Sequence, residues 1–410
     1  MNENINTKAL FYGSCFALIT TAFTFAIRTG ILPELGEQFG LTAKQLGNIN
    51  RMWFLGFPIS MILGGLFYHT FGPKNIMRVA FVMHAIGIIM TIYAGGYVAL
   101  MISTLAIGLG NGCTEAACNP MIADAYSGNK VDKMLNRFHM WFPGGIVVGS
   151  LISKFMTDMN MGWQAQMWVL IIPTIAYAVL FFGKTFPKPK MEAMKSIKEN
   201  LLAMLSPVFI FLFFCMILTA ISEFGPQQWS SIILSKSGAS PMLILALVTG
   251  LMAALRFFAG PVVSKLGQTG VLLGGSIFAA LGIYFFSIAT GPMAYVAAIF
   301  FAVGVAYFWP VMIGAVAKRV PLSGALGMSI IGAIGMFSSA MFQPIIGGWI
   351  DSSRETLAAS GLMESELELA AGQATLLKMT IFPIILIVLF TIFHFWQKGS
   401  KAPEVVAATH

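Results

Sequence analysis

Apolar runs of roughly 20 residues, enough to cross a hydrocarbon core about 30 Å thick as a helix, recur from one end of this chain to the other. Twelve can be laid out, at about 8–32, 47–70, 77–95, 97–122, 137–158, 163–183, 206–234, 241–264, 270–290, 293–316, 322–349 and 376–396. Only 10% of the 410 residues are charged, against about 25% in soluble domains. So few charges cannot clothe a water-facing surface, and much of the exterior must face lipid. The expectation is an all-α integral membrane protein with twelve transmembrane helices. No short apolar core with a small-residue cleavage site follows the first run, which reads as a retained span.

The loops orient the bundle. With both termini in the cytoplasm, sixteen basic residues fall on that side and six, Lys44, Arg51, Lys154, Lys236, Arg354 and Lys378, on the other. This is the bias that basic loops show across cell membranes. Acids such as Glu34, Glu37, Asp351 and Glu364 join the six. A multi-pass protein of the cell inner membrane is expected, with cytoplasmic termini. The net charge of +8 is thereby explained by loop lysines, without a nucleic-acid partner. The four cysteines lie inside apolar runs and show neither metal nor disulfide spacing. No cofactor or metal is expected, and the chain is expected to act as a monomer.

A basic connection, GKTFPKPKMEAMKSIKEN (183–200), follows the sixth span and divides the chain. Residues 1–183 form the first six-helix half, 184–205 a cytoplasmic linker, and 206–410 the second half. GGLFYHTFGPK (64–74) after the second span is echoed by AGPVVSKLGQT (259–269) after the eighth. Gly65 and Gly72 return as Gly260 and Gly267, an offset of 195 in both cases. These two loops resemble degenerate copies of the loop motif of the major facilitator superfamily, which caps a cytoplasmic gate. The resemblance implies two pseudo-symmetric six-helix halves. It assigns Gly65, His69, Gly72, Lys74, Gly260 and Lys265, with Arg256 just upstream, to a gate motif. His69 and Thr70 depart from the motif's acidic and basic positions, so a gate held by hydrogen bonds is expected.

Few ionisable groups lie inside the spans. Arg28 ends a polar stripe of Thr20, Thr21 and Thr24 in span one, Glu115 sits in span four, and Glu223 in span seven. A buried charge costs several kcal/mol unless paired, neutralised or wetted, so each is a candidate for a cavity or an ion path. Arg28 is long enough to snorkel; it can also pair with Glu115 or Glu223, or bind substrate. GNGCTEAACNP (110–120) spaces Asn111, Glu115 and Asn119 four residues apart, on one helical face.

That stretch resembles the fourth span of the fucose permease branch, the fucose–galactose–proton symporters. The resemblance makes Glu115 a proton carrier, with Asn119-Pro120 as the pair behind it. MLNRFHMWFPGG (134–145) is similar to the branch's next loop and span, with Asn136 in place, and GALGMSIIGAIGMFSSAMFQPIIGGWID (324–351) to its eleventh. The branch's span-one aspartate is missing: Thr29 holds its place, beside Arg28. A sugar carrying an acidic group thereby becomes an alternative to a neutral sugar, which remains the leading expectation.

EFGPQQW (223–229) supplies Gln227 and Gln228, amides suited to sugar hydroxyls, and Trp229 as an aromatic plate or a lipid-belt residue. Thr24, Asn111, Asn119 and Asn136 join Arg28 among the substrate candidates, and Tyr307, Trp309 and Gln343 complete them. His139 joins Glu115 and Glu223 as a proton-relay candidate. His84 is a single histidine without ligand spacing. The chain has no HExxH, Gly-x-Ser-x-Gly turn or phosphate-binding loop, which argues against an enzyme or a nucleotide-driven pump. A drug exporter would favour a wide apolar cavity, whereas the polar stripe of span one and the amides of span seven favour a hydrophilic solute. The function expected is secondary active symport of a sugar or sugar derivative by alternating access, coupled to protons or, alternatively, sodium.

Overall fold

A computed structural model describes residues 5–126, 130–188 and 197–399, with side chains for all of these but 130–133, 136, 197, 325 and 397–399. The expected Asn136 side chain and the linker residues 189–196 lie outside that description. Helices are the one regular element among the described residues. Nine are long and apolar enough to cross a membrane. Ala43–Ile92, 50 residues long, holds two spans, because Gly72 turns its backbone to φ 71°, ψ 160°. Pro241–Phe257 and Trp141–Asp158 are shorter crossings. Among the described residues the total is twelve.

Gly267 bends Ala259–Phe286 at φ 69°, ψ 165°, the same conformation as Gly72 and 195 residues after it. A left-handed φ is open to glycine at no steric cost. The sequence echo is thus an echo in backbone geometry, at the turn out of the second span and out of the eighth. The tenth span is interrupted, running Met293–Val305 and then Phe308–Arg319.

The first span, Thr7–Phe39, runs past the boundary near residue 32 that its proline suggested. Pro33 lacks the N–H that would bond the Thr29 carbonyl. The Ser231 hydroxyl of span seven (Pro207–Ile233) donates to that carbonyl instead. A foreign donor thus satisfies the freed group, as lipid surroundings require, and the helix continues until Gly40 caps it at φ 59°.

Twelve crossings return the chain to the face on which it starts, here the terminal face; the opposite one is the far face. At the far face the Asp351 carboxylate, on Gly324–Ala358 (span eleven), accepts from the backbone of Ala43 at 2.9 Å and Lys44 at 2.8 Å. It thereby caps span two from the other half. A Cβ on Gly47 would lie 2.5 Å from the Gln343 carbonyl oxygen, so only glycine permits this approach. Hydrogen bonds tie residues 5–188 to 197–399 at Phe25, Arg28, Thr29, Ala43 and Lys44, from about one turn on the terminal side of Arg28 out to this face. The gate-motif residues at the terminal face, His69, Lys74, Gly260 and Lys265, are exposed and bridge nothing across the halves among the described residues. The molecule is closed at the far face.

Losing a capping carboxylate costs about 1 kcal/mol, or about a fivefold population shift. Asp351→Ala should therefore raise labelling of an Asn50→Cys variant by an impermeant maleimide from the far face about fivefold. Unchanged labelling would show that the Asp351 cap does not hold the face shut.

Candidate functional site

Arg28 is only 6% exposed, so it does not snorkel. Nor does it pair with Glu115 or Glu223: no carboxylate lies within ion-pair distance of it among the described residues. Its guanidinium donates from Nη2 to Gln228 Oε1 and from Nη1 to the Asn50 carbonyl at 3.5 Å, leaving Nε without a partner among the described residues. Its Cζ lies 4.9 Å from the Trp53 ring centre and 5.8 Å from that of Phe54, cation–π distances. Gln228 Nε2 in turn donates to Thr29 Oγ1 at 2.8 Å. Gln228 is therefore the residue of EFGPQQW that joins the two halves beside Arg28.

The aromatic plate is held in register by a buried chain of hydrogen bonds. Tyr177 Oη lies 3.0 Å from His84 Nδ1, and His84 Nε2 lies 2.9 Å from Asn111 Oδ1. Asn111 Nδ2 donates to Thr24 Oγ1 at 3.3 Å, and Trp53 Nε1 donates to the same oxygen at 3.0 Å. Thr24 passes its own proton to the Thr21 carbonyl at 2.7 Å. The donors and acceptors are mutually consistent with a neutral His84 protonated at Nε2. Spans one, two, three, four and six meet in this chain. Asn111 and Trp53 share the Thr24 hydroxyl as acceptor, which makes Thr24 the hub, and the Asn111 amide is bonded to His84 and Thr24 rather than to Glu115. Thr20 and Thr21 are turned back on their own helix.

This answers why GNGCTEAACNP is glycine-rich. A Cβ on Gly110 would collide with His84 Cδ2, so the glycine makes room for the ring. Glu115 is half-buried, and its Oε2 accepts from Asn119 Nδ2 at 2.6 Å, within one helix. His139 is exposed at the end of Lys130–His139 and bonds no relay partner among the described residues.

Glu223 is 3% exposed and pairs with Arg256, Oε1 to Nη2 at 3.4 Å. Arg256 was expected in the gate; it points into the bundle instead, because Nε also donates to the Ala306 carbonyl at 2.7 Å, where span ten is interrupted. Tyr307 Oη donates to the Leu255 carbonyl at 2.8 Å, and Gln227 Nε2 to Met252 Sδ at 3.6 Å. Trp229 is fully buried, not in a lipid belt. Trp309 meets Phe224 edge-on at 5.9 Å, and Phe224 meets Phe25 and Phe54, which brings span ten within one ring of the Arg28 cage. Gln343 Oε1 and both amide atoms of Asn50 are buried without partners among the described residues. A groove of about 600 Å³ opens between spans one and five, walled by Phe11, Tyr12, Phe23, Arg137 and Trp141. Sequence reasoning missed Trp53, Asn50 and His84. Trp53 and Asn50 sit on no distinctive motif, and a lone His offers no spacing.

A twelve-span helical bundle with a charged, hydrogen-bonded centre is the build of a membrane transporter. Residues 14–341 match the Major Facilitator Superfamily, and the chain belongs to that family. It is 26% identical over 168 residues to the hexuronate transporter of Bacillus subtilis (strain 168), covering 41% of this chain and 38% of that one. It is 26% identical over 113 residues to a probable sulfoacetate transporter, SauU, of Cupriavidus necator, covering 27% and 26%. The chain thus spans less than half the length of these curated relatives. The fold superposes on a mutant form of the nucleoside transporter NupG with TM-score 0.78 at 12% identity, covering 94% of this chain and 99% of that one. A D-xylose–proton symporter gives 0.72 at 16%, covering 91% and 97%. At such identities the likeness is one of fold.

Overpacking a close contact costs about 1–3 kcal/mol. Gly110→Ala should therefore lower the thermal midpoint in detergent, while Gly65→Ala, which meets nothing within 4 Å, should not. Equal midpoints for both would contradict the packing of His84 against span four.

Proposed function

We propose that this protein is a secondary active transporter that carries a sugar acid or a related organic anion across the inner membrane, in symport with protons. The carrying observation is Arg28: a buried cation with no carboxylate beside it among the described residues and an unpartnered Nε. A buried charge without its counter-charge is costly, and a bound carboxylate or sulfonate would supply one through two parallel hydrogen bonds. The Asn50 amide and the Gln343 Oε1, without partners among the described residues, suit hydroxyls on the same solute. The named hexuronate and sulfoacetate relatives support an acidic group. The resemblance of span four to the fucose permease branch supports a sugar frame.

In this reading residues 1–183 and 206–410 rock as two bodies about the site, joined by the 184–205 linker, with the termini cytoplasmic. Closure at the far face then corresponds to an inward-facing state. The neutral sugar that led the sequence reading yields to the anion, because Arg28 neither reaches water nor has an acid to neutralise it.

Uptake of labelled glucuronate by proteoliposomes, competed by glucose, galactose, galacturonate and a sulfonated hexose, tests the reading. The acidic solutes should displace the label and the neutral ones should not. Arg28→Lys should weaken binding about tenfold or more, because Lys keeps the charge but not the paired geometry. Stronger displacement by neutral hexoses would refute the anion.

A further inference from the structure

The substrate reading leaves one deeply buried ion unused. Glu223 Oε2 is shielded from solvent and bonded to nothing among the described residues, while Oε1 makes a single long contact to Arg256. An ionised carboxylate accepts at about four positions; here one is weakly filled. A proton on Oε2 would neutralise a buried carboxylate whose accepting positions are mostly empty.

Its partner is poised rather than locked. Arg256 Nε is held by the Ala306 carbonyl at the interruption of span ten, and its side chain is 27% exposed. The guanidinium therefore stands between Glu223 and water. Other charged or titratable groups are turned away. Arg28 meets span seven at Gln228, more than a turn farther toward the far face. The Tyr307 hydroxyl is committed to Leu255, and Glu115 to Asn119.

We propose that Glu223 binds and releases the coupling proton, with Arg256 as its positioning partner. When the terminal face is open, the carboxylic acid gives its proton to water and the resulting carboxylate is drawn to Arg256. When the far face opens, water returns a proton to the carboxylate, and Arg256 keeps only the Ala306 carbonyl. One proton moving with one univalent anion makes the cycle electroneutral. That last clause rests on the anion reading; the proton site does not. Glu115, with its stable amide partner, is not the coupling acid.

Two measurements on the full chain separate the possibilities. In proteoliposomes, a pH gradient of about one unit supports about tenfold accumulation through one proton. Glu223→Gln should abolish this accumulation of glucuronate while retaining counterflow exchange. Glu115→Gln should accumulate like the unaltered protein, and Arg256→Gln should lose accumulation that Arg256→Lys partly restores. Infrared difference spectra between acid and alkaline pH, recorded without substrate, should contain a carboxylic-acid band that Glu223→Gln removes. Normal accumulation by Glu223→Gln, uptake that follows sodium and ignores pH, or an infrared band lost in Glu115→Gln instead would overturn the proposal. If the unaltered protein shows no glucuronate counterflow, the anion reading fails, and the infrared experiment still decides Glu223.

Discussion

A guanidinium buried without a counter-charge among the described residues sets the terms for the centre of this molecule. Arg28 is tolerated there because its charge is spread over the faces of two aromatic rings, an amide oxygen and a backbone carbonyl. None of these neutralises it. Each must also be placed to within a fraction of an ångström, and much of the first half serves that placement. The Tyr177–His84–Asn111–Thr24 chain fixes Trp53, and Gly110 admits the His84 ring.

The second half contributes to the same constraint. Gln228 reaches both Arg28 and Thr29, and Ser231 supplies the donor that Pro33 lacks. A proline that would otherwise end a helix is thus converted into a tie between halves. Ties of this kind, made of side-chain hydrogen bonds and one carboxylate cap, can be exchanged for water at modest cost. That is the property a closing face needs if it is also to open.

Much of the architecture is legible in the sequence. Hydrophobic run length alone yields twelve spans, since backbone polar groups in lipid must be satisfied within a helix. The paired glycines 195 residues apart mark two backbone turns that only their residue type readily adopts. Arg28, Gln228 and Glu223 stand out as polar residues in apolar surroundings. Partnership is where sequence reasoning fails. It favours His139 over His84, sets Asn111 beside Glu115, places Arg256 in a loop gate, and offers Arg28 an acid it does not meet.

The division has a physical cause. Periodicity and hydropathy are properties of one segment and its solvent, so the chain by itself determines its crossings, its kinks and which residues are too polar to face lipid. Which polar group meets which depends on the rotation and depth of helices packed from distant parts of the chain. A rotation of one helix by about 100° exchanges one residue for its neighbour at an interface. Only the packed bundle decided that Glu223 meets Arg256, that Trp53 lies under Arg28, and that the Arg28 guanidinium has no carboxylate beside it among the described residues.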